Sequence, residues 1–137
     1  MNIDKYKHTH VDILQRIDRL RALTRTGVED NAAAIAQGVV ALSAVVKLHL
    51  AAEDQALYPS LQRSGNAALA QLGLRFQQEM GPIAAAFDAF AHAWNTPARV
   101  RGDEAGFRAA ANDVLRRVYE RMRQEDRDFY PAIESGA

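Results

Sequence analysis

Cysteine is absent from the 137 residues, which excludes disulfides, thiolate metal ligands and cysteine nucleophiles together. Proline occurs only four times; with alanine abundant, this favours helix over sheet. An excess of charge is missing too. Seventeen basic residues face seventeen acidic ones, so neither nucleic acid nor an anionic membrane is an expected partner. The start, Met1-Asn2-Ile3-Asp4-Lys5-Tyr6-Lys7, has no apolar h-region, and no apolar run approaches the roughly 18 residues of a spanning helix. A cytoplasmic protein is the expectation, and the chain length predicts one domain over residues 1–137 with a core that needs no staples. There is no nucleophile–base arrangement, phosphate loop or nucleotide fingerprint, so no enzyme is expected. About a protein partner or a homodimer the residues say nothing.

What is there is helical periodicity. The first segment runs from about Asp4 to Thr26, with Gly27 as its stop signal. Its apolar stripe of Ile3, Tyr6, Ile13, Ile17 and Leu20 also carries His10, whereas His8 falls on another, solvated face. The second segment starts near Asp30, an N-cap residue type, and continues to about Arg63, with Pro59 expected to kink or loosen its last turns. Ser64-Gly65-Asn66 reads as a turn. A third helix spans roughly Ala67 to Trp94, with a bend predicted at Gly81-Pro82, and Asn95 to Gly102 forms the next connection. The last helix begins near Asp103 and ends about Ile133. Four long amphipathic segments with short connections predict an all-α, antiparallel up-down-up-down four-helix bundle.

One stretch stands out, His49-Leu50-Ala51-Ala52-Glu53-Asp54-Gln55-Ala56-Leu57-Tyr58-Pro59. His49 and Glu53 are four apart and so share a helix face, the face that carries Ile35, Val39, Leu42 and Val46. That face points inward, and burying such groups without partners would cost several kcal/mol. The fourth segment repeats the pattern. Glu53, Asp54, Tyr58 and Pro59 recur 72 positions later as Glu125, Asp126, Tyr130 and Pro131, with Arg121 standing where His49 does. The chain therefore reads as two helical hairpins related by an approximate two-fold. Such a two-fold brings Glu53 and Glu125 together near the axis, with His10, His49, Met80 and Arg121 around them.

These residues resemble the hemerythrin-like, or HHE cation-binding, domains. That family has a histidine on the first helix, HxxxE on the second, a histidine on the third and HxxxE on the fourth. The resemblance implies a four-helix bundle around a carboxylate-bridged pair of irons. His10, His49, Glu53 and Glu125 match the pattern; Met80 and Arg121 occupy the positions of the remaining two histidines. In the family, the first- and second-helix histidines bind one iron and the other two bind its neighbour. What survives here is the ligand set of one iron.

Two carboxylates about 4 Å apart repel by roughly 4 kcal/mol at an effective dielectric near 20, so a positive charge or a shared proton must offset them. One solution is a single Fe, Mn or Zn ion held by His10, His49, Glu53 and Glu125, giving a site for binding or sensing a metal, oxygen, redox state or small ligand. The other is a metal-free interaction module in which Arg121 pairs with both Glu53 and Glu125. Tyr58 and Tyr130 are expected to close the end of the bundle, each hydroxyl bonded to backbone or a nearby carboxylate. Arg116, Arg117, Arg123 and Arg127, interleaved with Glu120, Asp126 and Asp128, read as an ordinary solvated face.

Overall fold

Helix α1, Asp4–Thr26, buries Tyr6, His10, Ile13, Ile17 and Leu20 at the spacing the sequence predicts. The computed structural model describes residues 2–136, and among them there is no strand. Gly27 ends α1 at φ 138°, a conformation that disfavours any side chain. Helix α2, Ala32–Ala52, buries Ile35, Val39, Leu42, Val46 and His49. It lies so close to α1 that a Cβ on Gly38 would come within 2.7 Å of Leu20 Cδ2. The residue before α2 is Asn31, not Asp30, and its side chain does not cap α2. Its amide donates instead to the carbonyls of Leu23 and Gly27 (3.2 and 2.8 Å), sealing the end of α1.

At Glu53 the helix widens into a π-helical turn, Glu53–Leu57, closed by the Tyr58 N–H on the Glu53 carbonyl. The same device recurs at Glu125–Phe129, closed by the Tyr130 N–H on the Glu125 carbonyl. Each turn runs directly into a Tyr-Pro pair, and the proline supplies the reason. Pro59 and Pro131 cannot donate to the carbonyl four residues back, and their rings crowd it; a wider turn moves that carbonyl aside. Pro59 therefore acts through a π-turn before it. Helices α3, Tyr58–Gln62, and α7, Tyr130–Glu134, follow the two turns.

Helix α4, Ala67–Ala93, is capped by the Asn66 side chain accepting from Leu69 N–H, and it continues unbroken through Gly81-Pro82. The connection expected over 95–102 contains a short helix, α5, Pro97–Gly102. Proline suits its first position, the Thr96 hydroxyl accepts from Arg99 N–H, and Val100 is buried. Helix α6, Glu104–Gln124, begins with the Asp103 carboxylate accepting from Gly106 N–H at 2.9 Å.

Helix α1 packs on α2 and α6, and α4 packs on α3 and α6. Their buried side chains form two apolar clusters. The larger contains Ile13, Ile17, Val39, Val46, Phe107 and Val118; the smaller contains Tyr6, Leu57, Leu61, Phe76, Phe129 and Tyr130. The buried polar residues lie where the chain passes from one cluster to the other: His10 between Tyr6 and Ile13, His49 and Glu53 between Val46 and Leu57, Arg121 and Glu125 between Val118 and Phe129. A polar layer thus divides the core.

One expectation about apolar runs needs correction. The continuous helical stretch Ala32–Gln62 has a mean hydropathy of 1.7 over its best 18-residue window, long and apolar enough by composition to cross a bilayer. The sequence reading missed it because scattered polar residues interrupt the run without lowering its average. Within the fold, Ile35, Val39, Leu42 and Val46 of this stretch lie in the larger cluster.

Candidate metal centre

Helix α1 delivers His10, α2 delivers His49, and the first residue of each π-turn delivers a carboxylate, Glu53 or Glu125. All four are at most 3% exposed, and each offers one ligand atom within 4.8 Å of the others. His10 Nε2 lies 3.0 Å from His49 Nε2 and 3.1 Å from Glu125 Oε1, and His49 Nε2 lies 3.4 Å from Glu53 Oε1. These separations fit donors sharing a cation. Two atoms each about 2.1 Å from one ion are about 3.0 Å apart at a right angle and about 3.4 Å apart at the tetrahedral angle.

Three of the four residues have their outward atoms tied down; the exception is His49, whose Nδ1 is buried without a hydrogen-bond partner among the described residues. His10 Nδ1 is 2.9 Å from Asp126 Oδ1, which places the ring proton on Nδ1 and leaves the Nε2 lone pair inward. The Tyr130 hydroxyl donates to Glu53 Oε2 at 2.9 Å, and its oxygen is also 2.9 Å from His10 Nε2. Arg121 Nε donates to Glu125 Oε2 at 3.2 Å. Its guanidinium is anchored in turn by the Phe76 carbonyl and lies 4.5 Å from the centroid of the Phe76 ring. The inward oxygens, Glu53 Oε1 and Glu125 Oε1, are buried without a hydrogen-bond partner among the described residues. Lone pairs converge with too few protons to satisfy them, as the donor set of a cation requires.

Burial, and then the charge of Glu125, push the Glu53 carboxyl up to about 9, against a smaller pull from the Tyr130 hydrogen bond and Arg121. That proton belongs to the carboxylate pair rather than to one member. Burial, and then the neighbouring His10, lower His49 to about 3, so its imidazole is neutral and ready to ligate. Burial also raises the Tyr130 and Tyr58 hydroxyls, with the two glutamates adding to it; around Tyr58, Arg121 works in the opposite direction.

These shifts carry a pH dependence. Between the ordinary carboxyl value of 4.5 and about 9, the ion-free fold holds a proton that the unfolded chain has released, so its stability falls as pH rises. Between about 3 and 6.5 His49 acts oppositely, since the fold binds fewer protons than the unfolded chain. In the presence of a chelator, Tm should therefore fall by about 5 °C or more from pH 6.5 to pH 9. A bound dication displaces the shared proton, so binding at neutral pH should release about one proton per ion. Scanning fluorimetry across pH and titration in weak buffer measure the two; a flat Tm and no proton release would contradict this electrostatic account.

The structure brings His10, His49, Glu53 and Glu125 together as the sequence spacing suggests, and corrects three neighbours. The Tyr58 hydroxyl, expected to bond backbone or a carboxylate, is buried without a hydrogen-bond partner among the described residues. Arg121 pairs with Glu125 but makes no ion pair with Glu53, because its guanidinium is drawn to α4 by Phe76 and by Glu79 at 3.8 Å. Asp126 is not part of a merely solvated face: it is the partner of His10. Met80 is buried in the larger apolar cluster. His8 is exposed, as is His92, which lies 2.9 Å from the Asp88 carbonyl, outside the centre.

A family model described as the hemerythrin HHE cation binding domain matches residues 1–133. Among proteins of curated function and among solved structures, nothing matches the chain.

Proposed function

The chain belongs to the hemerythrin HHE cation-binding domain family, and on that premise we propose that it holds one transition-metal ion between His10, His49, Glu53 and Glu125. In this reading α1, α2 with its extension through α3, α4, and α6 with its extension through α7 are the four rods of an antiparallel up-down-up-down bundle. The ligands then come from the first, second and fourth rods. Two imidazoles and two carboxylates suit iron, and also manganese or zinc. A bound iron would supply a Lewis-acidic centre of variable oxidation state, suited to sensing or binding metal, oxygen, redox state or a small ligand in the cytoplasm rather than to catalysis. Asp126 orients His10, the Tyr130 hydroxyl orients Glu53, and Arg121 holds Glu125.

The observation carrying this reading is that both glutamates turn one unpartnered oxygen, Oε1, toward the two Nε2 atoms while their other oxygens are bonded elsewhere. Arg121 then acts as a fixed charge beside Glu125, on the oxygen that is not turned toward the two Nε2 atoms. Elemental analysis of protein from iron-supplemented cells should find about one metal per chain, lost in His49→Ala and in Glu125→Gln. Less than about 0.1 metal per chain in the wild type would overturn the proposal.

The buried Arg121–Glu125 pair favours a second reading, a metal-free helical interaction module with its central charge balanced by guanidinium and a shared proton. That protein would show the same Tm with and without chelator.

A further inference from the structure

Away from the metal centre, α1 and α6 enclose a groove of about 540 Å³. Arg21 and Arg25 line it from α1, Arg108 and Arg116 line it from α6, and Ala111 and Leu115 form an apolar floor. Among the described residues no carboxylate lines it. The chain as a whole is charge-balanced, so four guanidiniums on one concave surface are a local concentration, and a surface lined by one sign of charge attracts anions. The sequence reading assigned Arg116 to a solvated face, but Arg21 and Arg25 come from a helix far away in sequence.

The carboxylates nearby are exposed, none with less than 46% of its side chain accessible. Asp18 is 4.0 Å from Arg21, Glu104 is 3.2 Å from Arg108, and Asp113 is 3.7 Å from Arg116. Such exposed pairs are weak and can be exchanged for a stronger acceptor. The Arg25 side chain has no ion pair or hydrogen bond among the described residues. Arg21 is steadied 4.8 Å from the centroid of the Tyr119 ring, which leaves its donors free to turn into the groove. Planar guanidinium forks match phosphate oxygens two at a time, and the volume lies in the range of small-molecule sites rather than of a polymer track.

We infer that this groove binds a small organic anion bearing at least two phosphate groups, its phosphates on the arginines and its apolar part over Ala111 and Leu115. The probes are inorganic pyrophosphate and adenosine triphosphate, titrated into the full chain as purified at near-physiological salt and followed by calorimetry and amide chemical shifts. Saturable binding is expected, with shifts centred on 21–25 and 108–116. Arg25→Glu and Arg116→Glu should each weaken it roughly tenfold or more, and Arg63→Glu, outside the groove, by less than about twofold. Three results would overturn the inference: no saturation by either probe, equal weakening by Arg63→Glu, or shifts centred on His10 and Glu125. Binding confined to a long single-stranded oligonucleotide, with affinity growing with its length, would overturn it in favour of polymer binding.

Discussion

Replacing Arg121 with leucine is expected to destabilise the ion-free protein by about 3–5 kcal/mol, read from urea denaturation in chelator at neutral pH. The cost arises from what stays behind. Glu125 is fully buried, and Oε2 would lose its cationic donor, while Oε1 already lacks a hydrogen-bond partner among the described residues. The Phe76 carbonyl would lose its donor from Arg121 at the same time, and buried groups stripped of partners cost most when one of them is charged. Arg121→Lys keeps the charge but not the fork, so it should recover only part of the loss. A change smaller than about 0.5 kcal/mol would show that the guanidinium contributes nothing net.

The second large effect is a gain. Met80→His combined with Arg121→His should raise the iron content from about one to about two per chain and bring the near-ultraviolet bands of a bridged diferric unit. Residues 76 and 80 are one turn apart on α4, and Arg121 reaches the Phe76 carbonyl from α6. Imidazoles at 80 and 121 would thus enter the space beside Glu125 that the guanidinium now fills. The substitution exchanges a fixed organic cation for a metal one, keeping the charge balance around the carboxylates. An unchanged stoichiometry would mean that the pocket cannot be rebuilt as a dinuclear site.

Residues carrying a periodic signal were readable in advance. His10 and His49 fall on apolar stripes, Glu53 is one turn from His49, and the offset of 72 picks out Glu125. Asp126 was not recognised, because along the fourth segment it sits among arginines, in the π-turn after α6, and only the approach of α1 gives it a partner. A signal did exist, since Asp126 belongs to the repeat with Asp54. The copies have diverged in use, however: Asp54 is exposed and meets only Gln77, at 3.4 Å. Arg121 was legible as a counter-charge but not in its choice of partner, which depends on Phe76 and Glu79 of another helix. The π-turns were foreshadowed by the two Tyr-Pro pairs, yet a proline alone does not say whether the backbone kinks or widens. Helix α5 was overlooked although Thr96-Pro97 is a start signal, because six residues between two glycine- and proline-bearing ends read first as a loop.

The polar layer also bears on how the molecule comes apart. It sets two greasy bodies end to end across a belt of hydrophilic side chains, and a belt with unmet bonding demand is a natural seam. Without an ion, the smaller body can open first while the larger keeps its protection against amide exchange. An ion gripped by residues from near both chain ends would work as a reversible cross-link, fusing the two bodies into one cooperative unit.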